Sequence, residues 1–206
     1  MLTLDLWKKA FPEKSFSFIA DKIADGADGE VFELKADPNK VIKISILIDL
    51  DFNGLRFLKN KCEHISNVLT ALMQDNAPFA KVFKYHNIGS FKRLLSPRDN
   101  LIIEQDYILY YYTMEKCQKL SEDEKKVFHS IVSHEDRGLM KNFSPLKLRQ
   151  ILFGLSRGLD FDVEKVIIFY ESLLSSKIIH NDLHPRNIMK DKDGNFKLVD
   201  FDRCDL

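Results

Sequence analysis

The chain has 206 residues, enough for one domain or one two-lobed unit with a sizeable core. Hydrophobic content of 45% beside 30% charged residues is ordinary for a globular protein, and 31 Lys+Arg balance 31 Asp+Glu, so no bulk charge points to nucleic acid or to an anionic membrane. Cys62, Cys117 and Cys204 have no CxxC spacing, no basic start leads into a long apolar run, and no apolar run reaches spanning length; these features argue against a metal knuckle, a disulfide framework, a signal peptide and a membrane span, and predict a soluble cytoplasmic protein.

Residues 1–20 predict a short lead-in helix or strand anchored by Trp7, Phe11, Phe16 and Phe18. The stretch 24–32, ADGADGEVF, holds two Asp-Gly pairs, which by themselves mark a hairpin. Residues 32–34 and 41–44 predict paired strands with a turn at Asp37-Pro38-Asn39. Lys43 lies in the second strand between Ile42 and Ile44; a lone strand lysine is ordinarily a solvated edge residue. Over 53–74, Leu55, Leu58, Cys62, Ile65, Leu69 and Leu72 recur at helical spacing, with Glu63 in the same helix. Residues 80–93 predict a strand or hairpin. The run 107–114, YILYYYTM, is strongly β-prone and leads into Glu115-Lys116-Cys117.

From Ser121 the pattern turns helical. Ser121 with Glu124 three residues on forms a capping box. Residues 134–144 predict a loop, Pro145 opens a second helix to about Gly154, and Asp162 caps a third over 163–176 with a heavily apolar face. His129 and His134 are five apart rather than four, so no metal pair is predicted there. Asp182 and Asn187 then stand five apart, and Asp200 follows the apolar Leu198-Val199, where a strand would deliver it. Between them Asp193-Gly194 predicts a two-residue hairpin, because both residues tolerate positive φ.

The block 179–202, IHNDLHPRNIMKDKDGNFKLVDFD, resembles the phosphoryl-transfer core of the protein-kinase-like superfamily, matching H-R-D-L-x-x-x-N followed by D-F-G. The form H-N-D-L-H-P-R-N is similar to aminoglycoside- and choline-kinase loops and is seen in small bacterial and viral kinases. The resemblance covers about residues 20–202. It implies an α+β, two-lobed fold over 1–206, with an antiparallel N-lobe sheet over 1–115, a truncated and mainly helical C-lobe over 116–206, and nucleotide between them. It implies ATP and Mg²⁺ as cofactors, Asp182 as base, His184 and Lys43 as catalytic cations, and Asn187 and Asp200 as metal ligands. It assigns Gly26, Gly29 and Val31 to a phosphate loop, with Ala24 at the first glycine, and pairs Lys43 with Glu63. It takes Met114, Glu115 and Cys117 as the adenine-side segment.

Four departures qualify the implied activity. Asn181 replaces the arginine of H-R-D, His184 replaces a lysine, Asp202 replaces the glycine of D-F-G, and the sequence ends at Leu206 without an activation segment. The expected activity is a minimal serine/threonine kinase acting on a protein, or needing an activating partner, in a host cytosol if phage- or effector-encoded. The alternatives are a small-molecule kinase of aminoglycoside or choline type, and a pseudokinase acting as a binding module. Oligomeric state is not set by the sequence.

Overall fold

Tyr110 and Tyr112, both fully buried, lie in an inner strand of the larger sheet, paired on both sides, the aromatic run having the shape and width that a two-faced buried strand requires. The computed structural model describes residues 3–12, 16–25, 29–49, 53–74, 77–95, 103–133 and 145–206. The chain divides into two units: residues 1–74 with 81–116, and residues 75–80 with 117–206.

The first unit runs α1 (Thr3–Ala10), β1 (Ile19–Asp25), β2 (Gly29–Leu34), β3 (Asp37–Ile48), α2 (Leu55–Gln74), β4 (Val82–Leu95) and β5 (Ile103–Glu115). The strands form one antiparallel sheet in the order β1-β2-β3-β5-β4. The β2–β3 turn falls at Lys35-Ala36 and not at 37–39, because Leu34 already pairs with Asp37. Pro38 is thus at the start of a strand, where its missing N–H costs least. Residues 82–95 form one strand along the length of β5, which removes the hairpin alternative.

Residues opposite each other in a ladder share a face. One face carries Phe32, Ile42 and Ile44, and α1 covers it with Leu6 and Trp7. Trp7 stacks on Tyr111 at 5.6 Å and meets Phe16 edge-on at 4.6 Å. The buried Glu30 carboxylate accepts the Leu4 N–H at 2.8 Å, capping the first turn of α1 from β2, and takes Lys22 at 3.4 Å. The lead-in segment is therefore a helix, and it roofs the sheet. On the opposite face α2 packs against β4 and β5 through Leu58, Cys62, Ile65, Val68, Leu69 and Leu72, and Cys62 Sγ lies 3.1 Å from the Tyr85 hydroxyl.

The second unit runs α3 (Glu122–Ser133), α4 (Pro145–Leu155), α5 (Val163–Ser175), β6 (Ile179–His180), β7 (Ile188–Lys190), β8 (Phe196–Leu198) and β9 (Cys204–Asp205). Its core is an aromatic cluster in which Phe128 of α3 meets Phe196 of β8 at 4.9 Å and Phe169 of α5 at 5.7 Å. The capping box closes as read: Ser121 N–H donates to Glu124 at 2.7 Å, and Glu124 N–H to Ser121 Oγ at 3.2 Å. Lys190 of β7 then ion-pairs with Glu124 at 2.9 Å. Asp162 caps α5 through the Lys165 N–H at 3.0 Å.

The β7–β8 connection is a five-residue loop, 191–195, rather than a two-residue turn; of Asp193 and Gly194 only the glycine has positive φ. The buried Asp191 carboxylate organises it, accepting the N–H groups of Asp193 and Asn195 and the Asn195 side-chain amide. Asp191→Ala should leave those donors unmet and cost about 1–3 kcal/mol. A denaturant melt in which the variant matches the parent would show that the loop holds without this carboxylate.

Candidate functional site

The loop 180–187 is folded onto the strand end 198–200 through main-chain groups. His180, buried at the end of β6, accepts the Asp182 N–H on Nδ1 at 3.3 Å, which leaves Nε2–H to donate to the Val199 carbonyl at 3.0 Å. The Val199 N–H donates to the Asn187 carbonyl at 2.9 Å. Both polar groups of residue 199 are therefore held by the loop, and Asp200 follows directly. Leu198 is clamped from its other side: its N–H donates to the Pro78 carbonyl and its carbonyl accepts the Ala80 N–H.

Asp182, Asn187 and Asp200 are thus carried by one hydrogen-bonded frame. Asn187 is buried, and its Nδ2 donates to the Asp182 carbonyl at 2.9 Å. That bond commits the amide nitrogen and leaves Oδ1 as the oxygen donor a hard cation takes. Asp200 has φ 69°, the one non-glycine positive φ among the described residues. A non-glycine residue there stores strain that its surroundings must hold in place. His184 caps the short 3₁₀ turn Pro185–Asn187, accepting the Arg186 N–H on Nδ1 at 3.1 Å, and its Nε2 lies 3.8 Å from Asp182 Oδ2.

In the first unit the register collects a second set. Gly29 opposes Ser45, Val31 opposes Lys43, Lys43 opposes Tyr112, and Val41 opposes Met114. Gly29, Val31, Lys43 and Met114 therefore share the face on which α2 packs. Lys43 is buried, as an edge lysine would not be. At Glu115, the N–H donates to the Lys81 carbonyl at 2.9 Å and the carboxylate accepts the Lys81 N–H at 2.6 Å, fixing the end of β5. Cys117, half-buried, precedes Gln118, whose main chain pairs with Lys190 in both directions.

No protein-family model matches the chain, and no curated protein does. Among solved structures it is similar to one described as the ROP18 kinase domain in complex with AMP-PNP and sucrose, at 13% identity and a TM-score of 0.50. The match covers 91% of this chain and 52% of that one. This chain has a protein-kinase-like fold. It spans about half the length of that kinase domain.

Within that kinase-like fold one expected residue is displaced. Glu63 lies on the outward, exposed side of α2, opposite the buried stripe of Leu58, Cys62, Ile65 and Leu69, so the helix does not present it to Lys43. Among the described residues of the first unit, the buried acids are Glu30, bound to α1 and Lys22, and Asp49, which accepts the N–H groups of Asn53 and Gly54 ahead of α2. Gly26 and His134 lie outside the described residues. Gly29 has a packing reason of its own, since a Cβ there would strike the Ile44 carbonyl oxygen of β3. The sequence reading missed His180 as the keystone of the loop, although a histidine two residues ahead of Asp182 was visible. It also missed Arg203, whose Nη1 lies 3.7 Å from Asp182 Oδ2. Nothing local signals that contact, because it depends on the pairing of β6 with β9.

Burial lowers the pKa of His180, only partly opposed by its bond to Val199 and by the charges of Asp200 and Asp182. A folded-state value below the unfolded one means that the unfolded chain binds more protons, so stability is full above the unfolded imidazole range, near 6.5, and drains as pH falls below it. His86, also lowered by burial, adds in the same direction. Denaturant midpoints should fall between pH 7.5 and 5.5, and His180→Gln should flatten part of that slope. An equally steep slope in the variant would remove His180 as its source.

Proposed function

We propose that this chain is an ATP- and Mg²⁺-dependent phosphotransferase acting on a hydroxyl of a protein substrate. The observation that carries the reading is the double tie at Val199, which holds Asp182, Asn187 and Asp200 in one frame. Phosphoryl transfer asks for that kind of fixed polar constellation, because catalysis is mostly positioning and charge neutralisation. In the reaction the acceptor oxygen bonds to the γ-phosphorus as the bond to the β–γ bridging oxygen breaks. The hydroxyl proton passes to the Asp182 carboxylate, and ADP keeps the electron pair of the broken bond.

The donor set fits magnesium. Asn187 Oδ1 and the Asp200 carboxylate are hard oxygen ligands, and phosphate oxygens and water would complete the shell. Bound there, the ion would neutralise phosphate charge. Lys43, on the face with Gly29, Val31 and Met114, would hold the nucleotide phosphates, and Met114 and Glu115 would border the adenine. A similar fold described in complex with AMP-PNP, an adenine nucleotide, supports the same ligand class.

The test is transfer of label from γ-labelled ATP, with Mg²⁺ and with EDTA, to the protein itself and to a cell lysate, with the nucleotide-induced melting shift read in parallel. Mg²⁺-dependent label on protein supports the reading. Label on small molecules alone would replace the substrate class. A melting shift without label would point to a nucleotide-binding pseudokinase, and neither signal would leave a kinase fold without kinase activity. No helix among the described residues is long and apolar enough to cross a membrane.

A further inference from the structure

Two basic side chains border the Asp182 carboxylate, an imidazole and a guanidinium. His184 Nε2 is 3.8 Å from Oδ2, and Arg203 Nη1 is 3.7 Å from the same oxygen. The guanidinium offers a planar fork that matches two phosphate oxygens.

The backbone under Arg203 is fixed. Its carbonyl accepts the Asn181 N–H at 3.3 Å, and Cys204-Asp205 pair with Ile179-His180. The Asp205 carboxylate also accepts Asn181 Nδ2 at 2.6 Å. The side chain, in contrast, is 56% exposed. An exposed guanidinium beside the proposed base can also meet a phosphate bound at that base, with the planar fork that two phosphate oxygens fit. The anchored backbone keeps it within reach.

We propose that Arg203 is a catalytic residue, an arginine finger supplied in cis that grips the non-bridging γ-phosphoryl oxygens as they pass to the acceptor. This rests on the phosphotransferase reading given above. Arg203 gains and loses no atom in the step: the proton goes to Asp182 and ADP leaves with its electron pair, while the guanidinium offsets charge gathering on the transferring group.

The experiment measures kcat, KM for ATP and melting temperature for the full chain and for Arg203→Gln, Arg203→Ala and Arg203→Lys. Arg157→Gln, just beyond α4, removes the same charge as a control. The two neutral variants should lose about 100-fold or more in kcat with KM and the nucleotide-induced melting shift little changed. Arg203→Lys should recover at least about tenfold of that loss, and millimolar guanidinium should partly restore Arg203→Ala. Should one neutral variant fold poorly, the other carries the comparison, and should both do so, Arg203→Lys must keep kcat above one-tenth of wild type. A neutral variant within threefold of wild-type kcat overturns the proposal, as does a loss that neither lysine nor guanidinium restores. Wild-type protein that transfers no phosphate overturns the phosphotransferase reading itself, and the role of Arg203 falls with it.

Discussion

Asp182→Asn is expected to lower phosphoryl transfer by about 1,000-fold while the protein stays folded. The substitution keeps the size of the side chain and leaves both main-chain contacts of residue 182 in place, the N–H to His180 Nδ1 and the carbonyl to Asn187 Nδ2. What it removes is the atom that would take the hydroxyl proton. Asp200→Asn is the companion variant. Asparagine tolerates the positive φ of residue 200 better than alanine does, so loss of rate then reports loss of metal charge rather than backbone strain. Label transfer and melting temperature, read on the same preparations, decide the matter. Asp182→Asn protein that keeps more than a tenth of the wild-type rate would remove Asp182 as the base.

Gly29→Ala is expected to destabilise the first unit by about 2–3 kcal/mol, or about 4–12 °C in melting temperature. Gly29 opposes Ser45 in the ladder, and an added Cβ meets the Ile44 carbonyl and, at 3.0 Å, Ser45 Cα. These are backbone atoms of a strand paired on both sides, so they cannot swing away as a side-chain tip could. The drop should be the same with and without nucleotide. A Gly29→Ala protein that melts normally but has lost its nucleotide-induced shift would instead make the residue a phosphate-approach glycine.

The parts of the fold visible in the sequence were those specified by neighbours in the chain. Ser121 with Glu124, and Asp162 ahead of Val163, are caps whose donors lie within three residues. Asp182 and Asn187 sit on one loop, and their meeting needs only local closure. Where distant strands decide, the residues alone were not enough. The helix over 55–74 was plain from its apolar spacing, yet the side of it facing the sheet put Glu63 outward, since the stripe through Cys62 and Ile65 takes the buried side. Pro38 drew the turn towards itself, whereas the pairing of Leu34 with Asp37 closed the hairpin earlier. Asp193-Gly194 looked like the turn, but the acceptor that shapes it is Asp191, two residues upstream and buried. Glu30 is a strand residue that serves a helix 26 positions away, a relation that no window of sequence contains.

The ties at Val199 are made to its peptide N–H and carbonyl, and no atom of its side chain takes part. The same is true of Leu198 against Pro78 and Ala80. Peptide groups are common to all residues except proline's missing N–H, so these two positions can exchange one apolar residue for another without loosening the frame. A lineage can therefore drift far in sequence while the frame persists.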